Sequence, residues 1–133
     1  MNDNTVKNIE HEVYELLVTS AGETVTSVGK SFRTKIEHDK IIGILFFAKG
    51  AFRAEDIQGK VLIELNKKRL LGDSFIPKNL YEKSAGVSTH DVMYKCDIDI
   101  KASDIDITFV DETPALSFAA YKFQVIFLTT KHI

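Results

Sequence analysis

The run Val92-Met93-Tyr94-Lys95-Cys96-Asp97-Ile98-Asp99-Ile100-Lys101, followed closely by Ile105-Asp106-Ile107-Thr108-Phe109, decides the fold class. Val92, Tyr94, Cys96, Ile98 and Ile100 share one side of an extended chain, while Met93, Lys95, Asp97, Asp99 and Lys101 share the other. A period of two marks a half-buried β-strand, because successive side chains point to opposite faces. The second run repeats it, with Ile105, Ile107 and Phe109 against Asp104, Asp106 and Thr108. A short link around Ala102-Ser103 would set Ile100 opposite Ile105 and Ile98 opposite Ile107. The two apolar faces then coincide, so the sequence predicts a hairpin. Asp111-Glu112-Thr113-Pro114 stops its second strand.

Working outward, Tyr121, Phe123, Val125 and Phe127 alternate with Lys122 and Gln124, and Ile126 and Leu128 make the end of that run apolar on both sides. Lys60 to Asn66 places Val61, Ile63 and Leu65 on one face, ahead of a polar Asn66-Lys67-Lys68-Arg69 turn. Ile41 to Phe47 is apolar on both faces, as expected of a central strand or one covered by a partner. The N-terminus carries two patterns. Val6, Ile9, Val13 and Leu16 have helical spacing, whereas Tyr14, Leu16 and Val18 alternate. The β-favouring Val13, Tyr14, Val18 and Thr19 decide for a strand from about His11 to Thr19, after a polar arm at about residues 1–10. Arg53 to Ile57 and Pro77 to Lys83 each suit a single helical turn.

Seven or eight short strands with almost no helix predict a sandwich or barrel. The connections Gly50 to Gly59 and Asp73 to Thr89 exceed hairpin turns and suit Greek-key crossings between sheets. The expected fold is all-β, a single jelly-roll β-sandwich of two antiparallel sheets spanning residues 1–133.

Composition agrees with one globular domain: 133 residues, 44% of them hydrophobic. A net charge of −2 gives no general pull toward nucleic acid or anionic lipid. The first twelve residues lack the apolar core of a signal peptide, and Ile41 to Ala48 is too short to span a bilayer. A lone cysteine permits no intrachain disulfide, so folding in a reducing cytoplasm is expected.

Chemistry-bearing motifs are few. The chain has no Walker loop, G-x-G-x-x-G, G-x-S-x-G or H-E-x-x-H. Cys96 falls on the apolar face of its strand and reads as a core thiol. His11, His38, His90 and His132 show no paired metal spacing. In the predicted hairpin Asp99 opposes Asp106, which repel or share a hard cation such as calcium; a solvated acidic face is the preferred reading. Lys67, Lys68 and Arg69 read as a charged hairpin tip that protects an edge. No catalytic residue, cofactor or resident metal is expected, and the chain reads as a non-enzyme. The anomaly is apolar excess. Ile41, Leu45, Phe47, Ile126 and Leu128 cannot all enter one core; either loops cover part of the surplus or a subunit interface does, and these five are the candidate interface residues.

The succession K-I-E-H-D-K-I-I-G-I-L-F-F (35–47), G-K-V-L-I-E-L-N (59–66), L-G-D-S-F-I-P (71–77) and I-D-I-T-F-V-D (105–111) resembles the jelly-roll capsid proteins of tailless icosahedral bacteriophages with an internal membrane. Major coat proteins of that class generally carry two jelly rolls; this chain has room for one. The resemblance therefore implies a penton (vertex) protein assembled as a homopentamer, or else a minor capsid or spike-base subunit, meeting other capsid proteins in the virion; from charge and run length no specific nucleic-acid binding and no membrane span are expected. Two other classes stay open. One is a carbohydrate-binding type of β-sandwich using exposed aromatics such as Tyr14, Phe52 and Tyr81. The other is a cupin-like metalloenzyme, which needs clustered histidines.

Overall fold

The computed structural model describes residues 7–27, 29–50, 58–75 and 94–132. Within them the alternating runs become eight strands: β1 (Lys7–Val18), β2 (Thr24–Thr26), β3 (His38–Lys49), β4 (Gly59–Leu65), β5 (Lys68–Phe75), β6 (Tyr94–Asp99), β7 (Ile105–Asp111) and β8 (Tyr121–His132). One 3₁₀ turn, Ala115–Ser117, precedes β8. One sheet has the order β1-β8-β3-β6, the other β2-β7-β4-β5. The pairs β1–β8, β2–β7, β3–β6 and β4–β5 are all antiparallel. They describe one long hairpin folded back and wound into two sheets by the β3–β8 and β4–β7 pairings. This is the jelly roll, two Greek keys in a sandwich.

The inner faces follow the sequence pattern. Val61, Ile63 and Leu65 of β4, Ile105, Ile107 and Phe109 of β7, and Tyr121, Phe123, Val125 and Phe127 of β8 are buried in one core with Leu16 and Val18 of β1. Phe109 and Phe123 stack across the sandwich with ring centroids 3.9 Å apart, and Phe46 lies against Phe123 at 6.0 Å. Each such side chain contributes about 1.5–3 kcal/mol on burial. The β4–β5 tip is a two-residue turn in which Asn66 and Lys67 both have positive φ, as tight hairpins require.

Three expectations are corrected. First, β6 and β7 do not form a hairpin. Ala102, with φ 49°, turns the chain from one sheet to the other. The Ile100 N–H bonds to the Asp39 carbonyl of β3 and the Ile105 N–H to the Phe32 carbonyl in the β2–β3 connection, while β7 pairs with β2 and β4. Both readings bury Ile98, Ile100, Ile105 and Ile107, which is why alternation could not separate them. Asp99 is paired with Lys40 and Asp106 with Glu64; the two aspartates do not oppose each other.

Second, Ile41 is fully buried in the core and is not an interface residue. The ladder slips between Ile41 and Gly43, where β3 bulges against β8. An extra residue reverses the parity of a strand. Ile41 and Ile44 thus both point inward despite a spacing of three.

Third, β1 begins at Lys7, so residues 7–10 are strand and not arm. The helical turns expected at 53–57 and 77–83 lie outside the described residues, as does Val92-Met93.

Candidate functional site

The outer face of the β1-β8-β3-β6 sheet collects the apolar surplus. Register across three strands sets Val13 beside Ile126 beside Leu45, Glu15 beside Gln124 beside Phe47, and His11 beside Leu128 beside Gly43. Leu45, Phe47, Ile126 and Leu128, four of the five expected interface residues, are therefore brought together on one face. Leu45 is 4% exposed, and the other three are half-buried. The row below, Leu17, Lys122 and Lys49, returns to charge. On the β6 side the face is also charged: Lys40 Nζ lies 2.8 Å from Asp97 and 3.9 Å from Asp99, and Asp97 holds the amine above its ordinary value. An apolar centre with a charged margin is the anatomy of a contact surface.

Sequence reasoning missed the contribution of β1. Ile9, Val13 and Leu17 stand exposed on the same face. Their spacing of four residues also fits a helix, and only the strand assignment puts them in line.

Two buried polar clusters close opposite ends of the sandwich. At one, His38 of β3 contacts Glu12 through Nδ1 and lies 3.0 Å from Glu10 through Nε2. Thr129 Oγ1 is 3.1 Å from the same Nδ1, the Tyr14 hydroxyl reaches Glu12, and the Lys35 N–H donates to that carboxylate at 3.2 Å. Burial alone would pull the imidazole pKa down, but hydrogen bonds and charge from Glu10 and Glu12 outweigh it and hold it above its ordinary value. Both ring nitrogens face carboxylates of β1, so the His38 ring bridges β1 and β3. At the other end Asp111 accepts from Tyr121 Oη at 2.6 Å, Thr113 Oγ1 at 2.7 Å and the Gly22 N–H at 2.9 Å. It ties the β1–β2 turn to the start of β8.

The remaining candidates are dispersed. Cys96 is half-buried against the core, its Sγ 3.6 Å from the Ile41 carbonyl, and burial, then the Asp97 charge, pushes the thiol up to about 11. Tyr14 packs its ring on Phe32 and Phe127 at the margin of the core. Phe52, Tyr81 and His90 lie outside the described residues. Among the described residues, no three His, Cys, Asp or Glu side chains are placed to hold a metal ion, and no helix is long and apolar enough to cross a membrane. Lys67 borders an open groove of about 600 Å³ with Ser27, Phe32, Arg33 and Asp104, in which Arg33 pairs with Asp104 at 2.7 Å. Lys68 and Arg69 line a second groove of about 510 Å³ with Asn66, Ile98 and Ser103.

Comparison with known protein families, with curated proteins and with solved structures finds no match for this chain.

Proposed function

We propose that the chain is a structural virion protein, a single jelly-roll penton or minor capsid subunit of an icosahedral bacteriophage, which assembles with copies of itself and with other capsid proteins. One observation carries this reading: on the outer face of one sheet the exposed Val13 and the half-buried Phe47, Ile126 and Leu128 lie together beside a buried Leu45. A sheet packed on one side needs no such residues on its other side, and contiguous apolar surface marks an interaction site. The sandwich supplies a stable body, and the outer sheet supplies the contact. The resemblance in strand and turn pattern names the assembly, since a jelly roll alone supports many functions.

The experiment places Asp at Ile44 and at Ile126 in separate variants, with sedimentation for assembly and circular dichroism for folding. Ile44 lies in the core and Ile126 on the outer face. The expected outcome is that Ile44→Asp unfolds, whereas Ile126→Asp stays folded and loses assembly. A wild-type chain that remains monomeric alone and beside capsid proteins overturns the reading. A monomer that binds glycans favours the carbohydrate-binding alternative.

A further inference from the structure

Among the described residues the two sheets end in four edge strands, and three of them carry devices that discourage pairing. Edge strands present unpaired N–H and C=O groups, which short length, irregular register and charge protect. β2 has only three residues. β5 is irregular in register against β4 and begins with Lys68 and Arg69. β6 exposes Lys95, Asp97 and Asp99. β1 differs from all three. It runs for 12 residues, pairs with β8 along its whole length without a slip, and is the last strand of its sheet.

The outward row of this edge strand reads Ile9, His11, Val13, Glu15, Leu17, with Ile9, Val13 and Leu17 exposed by 61%, 50% and 57%. The row is complementary to its own reverse. An antiparallel partner of the same sequence, centred on Val13, sets Ile9 opposite Leu17, His11 opposite Glu15 and Val13 opposite Val13. Apolar residues meet apolar residues, and a base meets an acid twice. Cross-strand pairs of both kinds are favourable. A two-fold contact demands this kind of self-complementarity, in which each residue meets its partner's counterpart.

We infer that β1 is a homotypic docking edge, which pairs antiparallel with β1 of a second copy about a two-fold axis through Val13 and joins two four-stranded sheets into one of eight. This inference rests on the reading of the chain as an assembling subunit and names one contact and its register. Backbone hydrogen bonds along the edge supply affinity, and the Ile9-to-Leu17 row supplies register. A two-fold contact of this kind joins rings or subunits to one another and is distinct from the contacts that close a ring.

The test is oxidative cross-linking of full-length chain in a Cys96→Ala background, with folding checked by circular dichroism. The expected result is that Val13→Cys gives a covalent dimer. His11→Cys and Glu15→Cys each give little dimer alone and cross-link when mixed, because the register opposes position 11 to position 15. Separately, Glu15→Lys is expected to abolish the dimer in sedimentation, and His11→Glu with Glu15→Lys to restore it. A larger assembly in which the thiol at position 13 stays free overturns the edge pairing while leaving the capsid reading in place. A dimer cross-linked at position 13 that never grows further supports the edge pairing and overturns the capsid reading. Cross-linking that is equal at positions 11, 13 and 15 overturns the register and with it the proposal.

Discussion

Glu12 and His38 touch at one end of the sandwich with essentially no solvent on either side chain. The His38 ring, the Tyr14 hydroxyl and the Lys35 N–H together offset the burial of the Glu12 carboxyl group. Removing one member of a buried ion pair leaves an uncompensated charge and costs about 3–5 kcal/mol. His38→Ala is therefore expected to lower the unfolding free energy in urea by that order. Loss of less than about 1 kcal/mol would mean that Tyr14 and the Lys35 N–H suffice to hold Glu12.

The same pair predicts a pH profile. The folded pKa of His38 is raised, so its contribution is complete below the ordinary histidine value of about 6.5 and is lost as pH rises through the folded value. Glu10 behaves oppositely. Its hydrogen bond to His38 depresses its pKa, so its contribution is present above the ordinary carboxylate range and is lost as pH falls. Melting temperature should fall on the alkaline side of about pH 6.5, and His38→Gln should flatten that limb. An unchanged alkaline limb in the variant would assign the loss to another group.

Asp99 offers a contrast, because it is exposed and faces Lys40, not Asp106. Exposed pairs contribute little. Asp99→Asn is expected to change stability by less than about 0.5 kcal/mol, and chelator to leave the melting temperature unmoved in both proteins. A chelator-sensitive transition that disappears with Asp99→Asn would restore the cation-sharing reading.

Those residues also mark what the sequence could reveal. Alternation identified β4, β7 and β8 and their inward residues, because a half-buried strand repeats every two residues wherever nothing interrupts it. It could not say which strands pair. The link from Ile100 to Ile105 fits a hairpin turn and a crossing between sheets equally well, and the positive φ at Ala102 chooses the crossing. It also missed the bulge beside Gly43, which sends Ile41 inward and leaves Leu45 and Phe47 outside. The apolar outer face was legible as surplus hydrophobicity in Leu45, Phe47, Ile126 and Leu128. Its continuation onto Ile9, Val13 and Leu17 was hidden by a spacing shared with helices. The polar clusters around Glu12 and Asp111 take in His38 and Gly22, far away in the chain, and no local pattern announces those contacts.

Cys96 should react slowly. Only the thiolate attacks, and a thiol pushed up to about 11 is almost wholly protonated at neutral pH. Labelling by a bulky reagent under native conditions is expected to lag well behind labelling in urea and to accelerate as pH rises toward that value. Cys96→Ala should cost about 1–2 kcal/mol through lost packing against the core. Rapid native labelling at neutral pH would show that this edge of β6 opens.

Gly59 begins β4 directly beneath the Phe109 ring. A Cβ built at this position would stand 2.3 Å from the Phe109 ring and 2.6 Å from the Val110 carbonyl oxygen, both far inside contact distance. The ring cannot move freely, because it stacks on Phe123 at 3.9 Å with the planes 12° apart. The carbonyl cannot move freely either, because Val110 is paired with Lys60 in the β4–β7 ladder. Gly59→Ala is therefore expected to destabilise the fold by about 1–3 kcal/mol, the usual range for overpacking. A double-mutant cycle separates the two obstacles. Phe109→Leu removes the ring edge and should itself destabilise by losing the stack. In that background Gly59→Ala should cost clearly less than in the wild type, because one clash is already gone. Equal costs in both backgrounds would assign the strain to the Val110 backbone and show that the ring yields without penalty.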